Sequence, residues 1–296
     1  MKDETPSAPH AAAPSAPNPR WKILPDDTAP EEARARLQSI LTEMKSAVVA
    51  YSGGVDSTLL VRAAADTPGF RFVAVTTRSP TTTSEETREA SRMARDMGVE
   101  HIVVDVDELA TPGYAENPAH RCYLCKQTLY PECERIASER GLALVADGVN
   151  TDDLGDYRPG LRAATERSVR HPLVEAGFSK NLVRVLSRHY GLPTAERPAS
   201  PCLSSRFPYG TPITHEGLAK VAAAEASLRE LGFVEFRVRF LGEAARVEVA
   251  AAELTRLAEP GLRDQVRRGV LAVGFVSVEL SPKALRSGSL NDALRG

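Results

Sequence analysis

No run of apolar residues in this chain of 296 approaches the ~20 that a helix needs to cross a bilayer, so no membrane partner is expected. Neither sign of charge is in excess. The formal net charge of -2 gives no bulk reason to expect nucleic acid or an anionic surface as a partner. There is no basic stretch or RNA-binding module. The six histidines, His10, His101, His120, His171, His189 and His215, form no spaced ligand set. The first residues lack a basic region followed by an apolar stretch, which argues against a secretory signal and for a cytoplasmic protein. Cysteine is scarce, with four in all. In a reducing compartment these read as metal, cluster or catalytic thiols rather than disulfides.

What is present suits a soluble globular protein, with 42% hydrophobic and 26% charged residues. Residues 1–30 begin with an Ala, Pro and Ser mixture (Pro6, Pro9, Pro14, Pro17, Pro19) that reads as a disordered tail. Apolar residues at helical spacing mark Glu31–Lys45. Strands are expected at Ala47–Tyr51, Arg71–Thr76, His101–Asp105 and Leu142–Asp147. Helices are expected after the first of these to about Asp66, and over Ser84–Met97 and Cys125–Arg140. Strands alternating with helices imply an α/β fold, a parallel sheet with helices on both faces. Another helix is expected near Lys180–Tyr190. Beyond Arg206 the pattern changes to a helix at His215–Leu231, strands at Phe236–Leu241 and Ala245–Val249, a helix over Ala251–Arg268, and a strand at Leu271–Leu280. The expected division is a first domain over 31–205 and a smaller α/β domain over 206–296.

The most informative stretch is Ala-Tyr-Ser-Gly-Gly-Val-Asp-Ser-Thr at residues 50–58, a strand end, a glycine turn and a helix start. Such a turn gathers backbone N–H groups and a helix N-terminus around an anion. Gly53 and Gly54 let the backbone approach a phosphate. Ser52, Ser57 and Thr58 add hydroxyls, and Asp56 is a candidate Mg²⁺ ligand. The GxxxxGK[ST] spacing of the Walker loop is absent, as is its lysine. The pattern resembles the PP-loop of the ATP pyrophosphatases, which implies ATP binding with release of pyrophosphate.

Cys122 and Cys125 form a CxxC pair, with Cys133 eight residues further on and Cys202 alone in Pro-Cys-Leu-Ser-Ser-Arg. Two thiols at this spacing bind soft metals, or act as a redox pair. Three cysteines with one open position suit a [4Fe–4S] cluster, with Cys122 and Cys125 as candidate ligands, while a zinc site would want four, Cys122, Cys125, Cys133 and one more, at a spacing that matches no common finger. Cys133 reads as a buried or surface thiol. A guanidinium near Cys202, such as that of Arg206, would favour its thiolate. Arg237 and Arg239 stand two apart on one strand and share a face, so both could grip one phosphate. Asp147, Asn150, Asp152 and Asp153 follow a strand's carboxyl end, a position that suits Mg²⁺ or ribose; Asp152 is the second Mg²⁺ candidate.

Together these stretches resemble the LarE family of ATP-dependent sacrificial sulfur transferases. The shared residues are Ser52–Thr58, Asp147-Gly-Val-Asn150 with Asp152-Asp153, Asp156-Tyr-Arg-Pro-Gly-Leu-Arg162, Cys202–Gly210, Arg237-Val-Arg239 and Arg286-Ser-Gly288, spanning Leu37 to Asn291. The resemblance implies that ATP adenylates a carboxylate of a pyridinium-3,5-dicarboxylate mononucleotide and that sulfur displaces AMP. The product is a thiocarboxylate on the route to the nickel-pincer cofactor of lactate racemase. It implies that the sulfur comes from a protein cysteine in one branch and from a [4Fe–4S] cluster in another. The CxxC beside Cys202 is similar to the cluster branch. It further implies catalytic roles for Cys202, Asp56 and Arg206, a phosphate grip by Arg206, Arg237 and Arg239, and a homo-oligomer. Two other PP-loop activities remain open: cluster-dependent tRNA thiolation, and ammonia-dependent amide synthesis of the NAD/GMP synthase type.

Overall fold

In the computed structural model, which describes residues 22–155, 159–286 and 288–290, the chain builds two sheets. The expected disordered tail lies mostly outside the described residues, as do Asp156, Tyr157 and Arg158 of the third shared stretch. The first sheet has four parallel strands in the order β3-β2-β1-β4: β1 Ser46–Ala50, β2 Arg71–Arg78, β3 His101–Asp105 and β4 Leu144–Ala146. Helices α1 (Pro30–Met44), α2 (Val55–Ala65), α3 (Ser84–Asp96) and α4 (Arg121–Arg140) connect and cover it. Period-2 alternation sends Ala47 and Val49 into one core, with Leu37, Leu41 and Leu59, and Val48 and Ala50 into a second, with Tyr130, Cys133 and Ile136. Both faces of β1 are therefore buried, which is why it reads as an unbroken apolar run. The fold is α/β with a PP-loop-type parallel sheet, as expected.

Three short helices follow, α5 (Pro159–Glu166), α6 (Pro172–Glu175) and α7 (Lys180–His189), and α7 packs beside α1 and α2. After α8 (His215–Glu230), strands β5 (Phe236–Leu241) and β6 (Ala244–Val249) pair antiparallel around Gly242. That glycine has φ +72, a conformation that a Cβ disfavours. Helices α9 (Leu254–Ala258) and α10 (Pro260–Ala272) then lead to β7 (Ser277–Leu280), which lies parallel to β6. This mixed sheet has its own core of Phe236, Val238, Val247, Leu228 and Val266, which also takes in Tyr114, Leu203 and Phe207.

Most strand and helix ends lie within a few residues of expectation, β4 being shorter than Leu142–Asp147 and β2 longer than Arg71–Thr76, and three boundaries depart further. The helix expected over Ala251–Arg268 is a short turn and two helices, because Pro260 opens a new helix at its first position and cannot continue the old one. The strand expected over Leu271–Leu280 begins only at Ser277, since α10 runs to Ala272 and Gly274, at φ +98, turns the chain. Helix α4 starts at Arg121 rather than Cys125, so both cysteines of the CxxC pair are helical. No helix among the described residues is long and apolar enough to cross a membrane.

Candidate active site

The loop between β1 and α2 lies at the carboxyl end of the parallel sheet, where such folds bind ligands. Gly53 has φ +74, and a Cβ there would stand 3.1 Å from that of Ala90. The hydroxyls knit the turn together. Ser57 Oγ accepts from the Ser52 N–H at 3.2 Å and donates to the Gly54 carbonyl at 3.2 Å, and Ser52 Oγ accepts from the Gly54 N–H at 3.3 Å. Thr58 is buried inside α2. The turn thus presents the open N-terminus of α2 with two hydroxyls already oriented.

Asp56 stands in the first turn of α2, and both its oxygens are engaged. Oδ1 accepts from Asn150 Nδ2 at 3.0 Å, and Oδ2 meets Lys180 Nζ at 2.5 Å. Asn150 lies after β4, so the second acidic stretch and the PP-loop converge. Gly148 is where they touch. A Cβ on it would sit 2.9 Å from the Ser57 nitrogen, a distance only glycine allows. Asp152 is turned the other way and accepts the backbone N–H of Lys180 at 3.2 Å, while Asp153 accepts that of Asn150 at 3.1 Å. Mg²⁺ is commonly held by one or two carboxylates plus substrate phosphates. The hard oxygens of Asp56 and Asp153 on the cavity wall fit such an ion.

Asp147, buried at the end of β4, anchors this stretch. Its Oδ1 accepts from His171 Nδ1 at 2.7 Å and from the Val149 N–H at 3.1 Å, and its Oδ2 accepts from the Tyr130 hydroxyl at 2.8 Å. Burial alone would push this carboxyl up, but the His171 charge and hydrogen bond hold it below the usual carboxylate range. Burial likewise opposes charge on His171, and Asp147 overcomes it to raise the imidazole pKa.

A cavity of about 630 Å³ joins these parts. Its wall includes Ser52, Asp56 and Ser57 from the PP-loop, Lys126 and Cys122 from α4, and Cys202. Two cysteines far apart in sequence therefore face one space with the nucleotide loop. Cys125 is turned away. It is half-buried beside Glu108, with Sγ 3.9 Å from Oε1, and desolvation pushes its thiol pKa well up. Cys133 lies in the core between α4 and the sheet, fully buried, its thiol pushed up to about 12. Among the described residues no group of three or more His, Cys, Asp or Glu side chains is gathered so as to hold a metal ion. Cys122 and Cys202 line the cavity, and Cys125 stands near enough to both for their charges to act on its thiol.

The loop carrying Cys202 is fixed from three sides. The Leu203 N–H donates to the Thr81 carbonyl at 2.8 Å, and Ser204 Oγ lies 2.8 Å from the Tyr114 hydroxyl. Asn117 Nδ2 donates to the carbonyls of Pro208 at 2.7 Å and Thr211 at 3.0 Å. Arg206 is 2% exposed and pairs through Nε and Nη2 with Glu225 at 2.8 and 2.9 Å, while its Nη1 donates to the carbonyls of Pro201 and Cys202. Arg206 therefore braces the cysteine loop and lies outside the wall of the larger cavity. Arg239 is committed to Glu248 at 2.9 Å and the Ser205 carbonyl at 2.9 Å. Arg237 donates to the carbonyls of Phe236 and Ala199, both at 2.6 Å, and lines a second pocket of about 250 Å³ behind the cysteine loop. Burial and the neighbouring Arg206 bring its pKa down to about 10.

Sequence reasoning missed Lys126, Lys180, His171 and Glu108. Lys126 carried a signal, because four residues after Cys122 on one helix it shares that cysteine's face. Lys180 carried none: it meets Asp56 across 124 residues, a pairing only the fold creates.

A family model described as queuosine biosynthesis protein QueC matches residues 46–116, the stretch holding the PP-loop and the first three strands. An uncharacterized protein of Synechocystis is 42% identical over 264 residues, 89% of this chain and 98% of the relative. The pyridinium-3,5-bisthiocarboxylic acid mononucleotide synthase of Lactiplantibacillus plantarum is 38% identical over 262 residues, 88% of this chain and 94% of the relative. An uncharacterized protein of Methanocaldococcus jannaschii is 27% identical over 69% of this chain. With 38% identity to the synthase over most of both chains, the chain belongs to the LarE family of pyridinium-3,5-bisthiocarboxylic acid mononucleotide synthases.

Proposed function

We propose that the chain is an ATP-dependent sulfurtransferase acting on a pyridinium-3,5-dicarboxylate mononucleotide, with cytoplasmic placement and homo-oligomeric assembly as parts of the same reading. One observation carries it: the PP-loop residues Ser52, Asp56 and Ser57 and the thiol of Cys202 line a single cavity. Activation by ATP and attack by sulfur can therefore share one bound substrate.

A carboxylate is a poor electrophile near neutral pH. In the first step its oxygen attacks the α-phosphorus of ATP and pyrophosphate leaves, giving an acyl adenylate. The N–H groups at the start of α2 and the hydroxyls of Ser52 and Ser57 are oriented to receive the phosphates. Mg²⁺, when bound, supplies charge neutralisation on the departing pyrophosphate, and Asp56 and Asp153 would hold it. In the second step sulfur forms a bond to the acyl carbon and AMP leaves with the former carboxylate oxygen. Where Cys202 supplies the sulfur, its Cβ–S bond then breaks, the α-proton is lost, and dehydroalanine remains. A [4Fe–4S] cluster on Cys122, Cys125 and Cys202 is the second reading of the sulfur source. The CxxC spacing and the nearness of Cys125 to Cys122 and Cys202 support it. Among the three arginines, Arg237 suits the substrate phosphate best: it and Arg206 line the smaller pocket, but Arg206 and Arg239 are paired with carboxylates, whereas the hydrogen bonds of Arg237 among the described residues go to carbonyl oxygens.

Cys202→Ala tests the proposal. The variant is expected to release pyrophosphate from ATP only when the dicarboxylate mononucleotide is present, and to form no thiocarboxylate. Pyrophosphate release without the mononucleotide, or full thiocarboxylate yield from the variant, would overturn it. Mass spectrometry of the wild-type chain after turnover separates the two sulfur sources. Loss of the elements of H₂S at Cys202 assigns the sulfur to the protein, and an unchanged mass with stoichiometric iron and sulfide assigns it to a cluster.

A further inference from the structure

We infer that Lys180 is a tethered counter-cation that occupies the place of the metal on Asp56 and yields it when nucleotide brings Mg²⁺. The observation is the pairing of Lys180 Nζ with Asp56 Oδ2 at 2.5 Å, on the carboxylate that opens α2 and lines the nucleotide cavity. The second Asp56 oxygen is held by Asn150, so the carboxylate is fixed in direction while one oxygen faces the ammonium. Both side chains retain contact with solvent, Lys180 at 33% and Asp56 at 22% exposed, which leaves a route for exchange.

The backbone of Lys180 does not need to move. Ser179 caps α7, its Oγ accepting from the Leu182 N–H at 3.1 Å, and the Lys180 N–H is bound to Asp152. Only the four-carbon stem must swing, and a lysine ammonium is a compact point charge suited to that. A guanidinium in a two-pronged pair would resist release more strongly.

Mg²⁺ sheds water reluctantly and gains most when phosphate oxygens complete its shell. Free Mg²⁺ must therefore displace an ammonium for little return, whereas Mg²⁺ arriving with ATP brings its own ligands. The displaced ammonium is then left beside the phosphates. Lys180 in this way couples metal occupancy to nucleotide occupancy, and the coupling is reciprocal by linkage. The inference rests on the reading of Asp56 as the carboxylate that meets the ATP-associated ion.

Mn²⁺ binding followed by electron paramagnetic resonance, in the nucleotide-free protein and with a non-hydrolysable ATP analogue, tests this without turnover. Lys180→Met and Lys180→Gln are used together, so that misfolding of one leaves the other to decide. In the absence of nucleotide either neutral variant is expected to bind Mn²⁺ about tenfold more tightly than wild type, about 1.4 kcal/mol. The gain in Mn²⁺ affinity on adding the analogue is expected to shrink by the same factor. Lys180→Arg, which keeps the charge, is expected to bind free Mn²⁺ as weakly as wild type. Equal Mn²⁺ affinity in wild type and the folded neutral variants would overturn the inference. Asp56→Asn separates its failure from that of the underlying reading. If that change leaves Mn²⁺ binding intact in the analogue complex, the Asp56 metal assignment falls and the inference with it.

Discussion

At the scale of single residues, some buried charges meet a partner of opposite sign, and one such pair carries a pH response. His171 and Asp147 illustrate the sign. The folded state raises the His171 pKa above 6.5, so the stability it contributes is fully present below that value and is lost as pH rises through the raised one. The folded state lowers the Asp147 pKa below 3.8, so its contribution is present above that value and is lost as pH falls through the lowered one. The pair therefore supports the stretch after β4 between these limits. His171→Gln is expected to lower the melting temperature below the raised imidazole pKa and to flatten the decline expected of wild type as pH rises through it. Parallel melting curves of the two proteins across that range check it. A decline of equal steepness in the variant would show that the pair does not govern the alkaline side.

At the scale of elements, helix starts were legible because capping chemistry is local. The Ser84 region was expected to open a helix, and the cap is Thr83, whose Oγ1 accepts from the Glu86 N–H while Glu86 returns a bond to the Thr83 N–H. The strands at His101–Asp105 and Phe236–Leu241 also emerged with their expected bounds, since apolar runs and alternation are short-range signals. What the sequence hid is where long side chains go. Arg206 has the look of an anion grip, but its partner Glu225 stands a helix away and only tertiary packing brings the two together. Lys180 and Asp56 were hidden for the same reason. The capping glutamate has a second task, because Glu86 Oε1 also accepts from Ser200 Oγ at 3.0 Å and so ties α3 to the cysteine loop. Thr83→Ala is expected to cost about 1 kcal/mol of unfolding free energy while leaving thiocarboxylate formation near wild type. Glu86→Ala is expected to cost at least as much and to slow sulfur transfer as well. Denaturant melts and single-turnover rates on both variants separate the two roles.

At the scale of the whole molecule, two sheets with separate cores share one strap. Tyr114 and Asn117 precede α4 in the first part of the chain, yet Tyr114 is buried in the core of the second sheet and Asn117 bonds to carbonyls at 207–211. Asn117 also holds φ +55, a conformation asparagine tolerates better than most residues. Its removal takes the side-chain donor from the buried Phe207 carbonyl and from the part-buried carbonyls of Pro208 and Thr211, and an unsatisfied buried group costs about 1–3 kcal/mol. Asn117→Ala is expected to uncouple the two parts, so that calorimetry shows two transitions where wild type shows one. A single transition shifted only in temperature would show that the cores are joined by other contacts.

The hydrogen bonds that fix the cysteine loop run through backbone groups of residues 201–203, through Ser204 and through the arginine brace, and none of those described uses the sulfur of Cys202. If that sulfur is consumed in one turnover, the exhausted molecule keeps its shape. It would persist in the cell as a folded competitor for the same mononucleotide. Product yield would then be set by how fast new chains are made and old ones removed, and the protein would be accounted for as a reagent with a lifetime rather than as a catalyst with a rate.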